Sequence, residues 1–189
     1  MGARIIVGSS NKKILKQLSH FLNENGYNVV GETTDGYDIL RRIHTVYPDL
    51  CIMDFNMKGL NGHDVSEVLI ADNVCPIITI IGSSELHYFT NLKHEPIFSL
   101  LIKPINKDSL INTIDLLVKT SRSITQLRKE VSTLKKKQED KQLINQAKQL
   151  LIEANGLTEE EAHRKIQKLS MNKGISKRIV AIEIINKYK

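Results

Sequence analysis

Tryptophan is absent from the 189-residue chain, which holds four phenylalanines, five tyrosines, four prolines and two cysteines. Two cysteines cannot staple a small secreted fold. Cys51 and Cys75 sit among apolar residues and are expected to be buried thiols in a reducing compartment. No run of eighteen apolar residues occurs, which excludes a transmembrane helix. Met1-Gly-Ala-Arg4 leads at once into a strand-like run instead of a charged leader and apolar segment, so a cytoplasmic chain is expected. There is no glycine-rich phosphate loop and no serine in a nucleophile-elbow pattern, and no enzymatic activity is expected. The six histidines (His20, His44, His63, His87, His94, His163) show no pairing with cysteine or carboxylate at ligand spacing, so no zinc site is expected. Neither proline nor glycine falls between Ile105 and Asn155, so nothing there stops a helix.

Charge is present in quantity and unevenly placed. Residues 1–121 hold 11 Lys and Arg against 13 Asp and Glu, a net of −2; residues 122–189 hold 16 against 8, a net of +8. A near-neutral front and a basic back point to a polyanion as the partner of the back.

Over residues 1–120, short β-rich runs alternate with amphipathic runs of helix length. Arg4 to Val7, Tyr27 to Gly31, Leu50 to Met53, Pro76 to Ile81 and Ile97 to Ile102 read as strands. Asn11 to Asn25, Tyr37 to Val46, Gly62 to Ala71, Glu85 to Lys93 and the run opening at Lys107 read as helices, with Asn106 or Asp108 as the last cap. Such alternation predicts a parallel sheet covered on both faces, a flavodoxin-like doubly wound fold of order 2-1-3-4-5. In that order Ser9 and Ser10, Asp54 and Lys103 converge at the carboxyl ends of the strands.

Pro48-Asp49, Asp54, Asn56-Met-Lys58-Gly59, Gly62 and Lys103-Pro104 resemble the phospho-acceptor stretch and the last strand end of response-regulator receiver domains. The resemblance implies a phospho-acceptor at Asp54, a crevice formed with Ser9, Ser10, Asn56 and Lys103, a cis peptide before Pro104, and a sensor kinase or regulatory protein as partner. Three positions depart from the family pattern. Its acidic pair falls on Ser9-Ser10, its strand-four hydroxyl on Ile81, and its switch aromatic on Leu100. Only the Asp54 carboxylate and the Asn56 carbonyl remain as magnesium ligands, and hydroxyls do not replace two negative charges. The expectation is a receiver divergent in phosphorylation, with no required cofactor and magnesium bound weakly if at all. Asp54 and Lys103 would then form a structural ion pair.

Residues 142–189 read as three helices. Thr158 and Glu161 form a capping box, Asn172-Lys-Gly174 stops the second helix, and Ser176 caps the third. Ala147-Lys148, Gly156, Glu160-Glu161-Ala162, Ser170-Met171 and Ala181 together resemble the ANTAR domain, an RNA-binding antiterminator module. Gln149 and His163 depart from it, standing where the family often has glycine and an aromatic. The resemblance implies binding of leader-transcript stem-loops by a dimer, which keeps a terminator from forming. With Tyr188 as its sole aromatic, this segment would hold RNA through Lys148, His163, Arg164, Lys168, Ser170, Lys173 and Arg178. Ala147, Ala162 and Met171 are assigned to its core.

Between the two lies a linker over residues 121–141, where Ile124 and Val131 continue a seven-residue repeat from Leu110 and Leu117, joined by Leu127 and Leu134, to make one seam. A parallel coiled-coil homodimer is expected. The chain is thus read as a receiver-like domain (1–120), a coiled-coil helix and a small all-α domain (142–189). Two other readings compete: a DNA-binding response regulator with a helix-turn-helix-like output, and a module that binds only proteins.

Overall fold

The computed structural model of the protein describes residues 2–188. It divides into two compact units, Met1–Thr125 and Gln126–Lys189.

The first unit holds β1 (Arg4–Gly8), α1 (Lys12–Glu24), β2 (Asn28–Thr33), α2 (Gly36–Val46), β3 (Leu50–Asp54), α3 (Gly62–Asp72), β4 (Ile77–Ile81), a 3-10 helix (Ser83–Phe89) and β5 (Phe98–Ile102). All strand pairs are parallel in the order β2-β1-β3-β4-β5. β3 and β4 are buried at every position, because helices cover both faces and leave no side to water. Ile5, Val7, Ile52 and Ile78 pack on one face with α1 and the start of α4 (Lys107–Asn155); Ile6, Cys51, Met53 and Ile77 pack on the other with α2 and α3. Each such aliphatic side chain contributes about 1.5–3 kcal/mol by leaving water.

Local chemistry sets the helix starts. Asn11, Asp35, Asn61 and Asn106 each accept hydrogen bonds from first-turn amides. The expected helix over Glu85–Lys93 is instead a short 3-10 segment beginning two residues earlier. Leu117 corrects a second expectation: it is 5% exposed within the core formed with Leu22, Leu110 and Ile114, so it cannot line a seam with another chain. At this point of α4 the repeat serves the receiver core.

The second unit comprises α4 from Gln126 onward, α5 (Glu159–Lys173) and α6 (Lys177–Tyr188). Ala147, Leu151, Ala162, Ile166, Val180, Ala181, Ile184 and Ile185 form its core. Small alanines on each helix let the three approach closely. Thr158 Oγ1 accepts from the Glu161 amide at 3.3 Å, and Glu161 Oε2 accepts from the Thr158 amide at 2.9 Å, completing the capping box. The Thr158 amide and hydroxyl, both donating to Glu161 Oε2 at 2.9 Å, hold the Glu161 carboxyl below its usual range. α5 ends at Gly174, whose φ of +64° is a left-handed conformation that side chains disfavour. Met171 departs from its core assignment: it is 74% exposed, because α5 turns its Ala162–Ile166 face inward and carries Met171 off that stripe.

Candidate functional site

The crevice lies where β1, β3 and β5 end. Asp54 closes β3 and is 5% exposed. Ser9, just past β1, donates its hydroxyl to Asp54 Oδ2 at 3.2 Å. Lys103 Nζ, just past β5, donates to Asp54 Oδ1 at 2.5 Å. Both carboxylate oxygens are therefore engaged. The Lys103–Pro104 peptide is cis. Ser10 and Asn56 meet through the backbone, the Ser10 amide donating to the Asn56 carbonyl at 3.3 Å, while the Ser10 side chain faces solvent. Gly62 allows α3 to sit against this end of β3, since a Cβ there would lie 2.7 Å from the Asp54 carbonyl.

Magnesium requires near-octahedral oxygen ligation, normally anchored by one or two carboxylates. Among the crevice residues named here Asp54 is the single carboxylate, and its counter-charge is already the Lys103 ammonium. The Asn56 carbonyl already accepts a hydrogen bond. Ile81, where a hydroxyl would be needed, is fully buried hydrocarbon. This donor set does not fit the ion well.

A different carboxylate grouping escaped the sequence reading. His63 Nδ1 lies 3.3 Å from Asp64 Oδ1 and Nε2 lies 3.7 Å from Glu67 Oε1, with all three ligand atoms within 4.8 Å of one another. The i,i+4 spacing of His63 and Glu67 was the available signal. Each ring nitrogen faces its own carboxylate, which suits an imidazole held from two sides.

In the second unit the expected RNA-binding residues are divided by their partners. Lys148 reaches Glu159 at 2.9 Å with a side chain only 16% exposed, and this contact holds the Glu159 carboxyl below its usual range. Arg164 pairs with Glu160 at 2.5 Å, Lys173 with Glu183 at 2.7 Å, and Arg178 with Asp140 at 2.7 Å. Ser170 Oγ donates its one hydrogen to the Ile175 carbonyl at 2.5 Å, which ties down the turn after α5 and leaves none for a base edge. His163 and Lys168 are exposed on α5, joined there by Lys165, which the sequence reading missed. Its signal was the i,i+3 spacing from Lys168, which places two ammonium groups on one exposed face. Along α4, Ile124 is half-buried, whereas Leu127, Val131 and Leu134 are 58%, 50% and 64% exposed.

Comparison with known proteins follows the same division. The response regulator receiver domain family matches residues 5–115, and the ANTAR domain family matches residues 132–185. The transcriptional regulatory protein PdtaR of Mycobacterium tuberculosis is 31% identical over 178 residues, covering 94% of this chain and 87% of the relative. The transcriptional regulatory protein DesR of Bacillus subtilis is 29% identical over 119 residues, covering 62% of this chain and 59% of its own. Among solved structures, the signal receiver domain of a modulated diguanylate cyclase from Desulfovibrio desulfuricans superposes with a TM-score of 0.58 at 24% identity, over 65% of this chain and 98% of that one. A CheY-like receiver from Methanospirillum hungatei gives 0.57 at 18% identity, over 65% and 98%. Both carry the fold alone.

Proposed function

The chain belongs to the response regulators that couple a receiver domain to an ANTAR RNA-binding antitermination domain, and from that premise we propose that it binds leader-transcript stem-loops as a homodimer and regulates transcription by antitermination. The observation that carries the reading is the exposed cationic face of α5, where Lys165 and Lys168 stand clear of the ion pairs that occupy Lys148, Arg164, Lys173 and Arg178. Unpaired cations release counterions when they meet phosphate, which gives affinity and salt sensitivity. The paired cations set the geometry of the helices and exchange partners only at the cost of an existing contact.

The exposed Leu127, Val131 and Leu134 stripe supports a parallel coiled coil that begins beyond the receiver core. Linking two basic units raises the effective concentration of the second for a paired RNA target. Input at the receiver, from a sensor kinase or another cytoplasmic regulatory protein, would operate with little reliance on phosphoryl transfer. Asp54 there is an ion-pair partner of Lys103 and a hydrogen-bond acceptor of Ser9, with no neighbouring carboxylate pair to gather magnesium.

A DNA-reading output fits less well. α6 would be the recognition helix, and it spends Val180, Ala181, Ile184 and Ile185 on the core while its outer face carries Ile179 and Ile182. The deciding experiment is competition on the full chain: a hairpin-loop transcript should displace labelled RNA far better than duplex DNA at matched salt. Equal competition by duplex DNA would sink the proposal.

A further inference from the structure

Beside the crevice, between α1 and the first turn of α4, lies a cavity of about 200 Å³. Its walls are hydrocarbon: Leu18 and Phe21 from α1, Ile80 from β4, Ile105 and Leu110 from the start of α4, with half-exposed Ile14 at the mouth. Three charged side chains also line it: Asp54 and Lys103 neutralise one another, and Lys107 adds a cation whose Nζ lies 5.2 Å from the centre of the Phe21 ring. The site therefore carries one surplus positive charge beside an apolar chamber.

Both features specify a ligand. An apolar cavity of about 150 Å³ accepts a benzene ring, whereas drug-sized ligands occupy about 300–1,000 Å³. A body of one ring or one short branched chain fits this volume. An apolar wall with a few polar or charged groups is the usual form of a small-molecule site. A neutral hydrocarbon would leave the cation unused, and a dianion would bring an excess charge against Asp54. We propose that this cavity binds a small amphipathic monoanion, a carboxylic acid with a single ring or a short branched chain, its carboxylate on Lys107 and its body against Phe21, Leu18 and Ile80. Such a ligand touches the first turn of α4 and supplies the receiver with a chemical input that needs no magnesium. The inference does not depend on RNA being the output.

Methyl NMR on the full chain tests it, with benzoate and isovalerate as probes and benzamide as the neutral control. The methyls of Ile14, Ile80 and Ile105 should shift saturably with a Kd of about 1 mM or tighter, while those of Ile166 and Ile184 stay still. Benzamide should bind at least about fivefold more weakly, and Lys107→Gln should weaken benzoate by about the same factor. Leu18→Trp, which fills the chamber, should abolish binding. The proposal is overturned if neither acid gives saturable shifts by about 20 mM, a range that still detects weak millimolar binding. It is equally overturned if benzamide matches benzoate, or if the shifts spread over both units. The comparison of acid and amide needs no variant, so misfolding of either substitution leaves the test intact.

Discussion

Placing a carboxylate pair beside Asp54 should make the receiver's stability respond strongly to magnesium, where the natural chain should respond little. Ser9 is 1% exposed and its Oγ lies 3.2 Å from Asp54 Oδ2, so Ser9→Asp brings two carboxylates together in a nearly water-free site with Lys103 as the neighbouring cation. Two adjacent buried carboxylates cannot both ionise cheaply, and the lost hydrogen bond adds to the cost, for a total of about 1–3 kcal/mol without metal. Magnesium binding only to the folded form stabilises by RT ln(1 + [L]/Kd). For the natural chain, a Kd of about 10 mM or weaker limits the gain at about 10 mM magnesium to about 0.4 kcal/mol, or less than about 3 °C in Tm. For the Ser9→Asp, Ser10→Asp variant a Kd of about 0.5 mM would return about 1.8 kcal/mol, or about 4–7 °C. Thermal melts of both proteins with magnesium, and with calcium as a comparison ion, read this directly. A natural chain that gains more than about 5 °C at about 10 mM magnesium would refute the argument that the Lys103 pairing and the missing acidic pair leave the ion nothing to neutralise.

Leu127→Lys with Val131→Lys should yield monomers by sedimentation at unchanged helix content, because both side chains are exposed in the single chain; dimers persisting in the variant would reject the seam. Leu117→Ala should behave oppositely, costing about 2–5 kcal/mol in urea unfolding while leaving association intact. Lys165→Ala with Lys168→Ala should lower RNA affinity and flatten the salt dependence of log K by about 1.5; an unchanged slope would move the footprint elsewhere. Asp38 titrates at about 2 instead of 3.8, chiefly because Arg41 donates to it, helped by Arg42. A depressed carboxyl stabilises above its unfolded value and loses that stability as pH falls through the folded one. The stability gap between the natural chain and Asp38→Asn should therefore be complete above about pH 4, about 1–2 kcal/mol after screening at exposed Arg41, and gone near pH 2, as measured by urea unfolding across that range.

Strand identities, helix caps and sheet order were legible because each is a local or periodic property. A continuous apolar run such as Pro76–Ile81 has one favourable placement, inside a parallel sheet. The capping box at Thr158 and the stop at Gly174 are written in residue types at fixed spacing. The convergence of Ser9, Asp54 and Lys103 then followed from the strand order. Partnership was not legible. Lys148, Arg164, Lys173 and Arg178 differ from Lys165 and Lys168 by which carboxylate faces them, and three of those four contacts span ten or more residues.

What the amino-acid order determined unaided was the architecture and the loss of the acidic pair, since apolar period and the identity of a residue at a strand end need no third dimension. Tertiary structure alone decided that Leu117 belongs to the receiver core while Leu127 does not, and that Met171 faces water. It also opened a chamber beside Lys103 and Lys107, between segments ninety residues apart. Those outcomes depend on where helices meet, and a heptad repeat or an apolar stripe says that a face will be covered without saying by what.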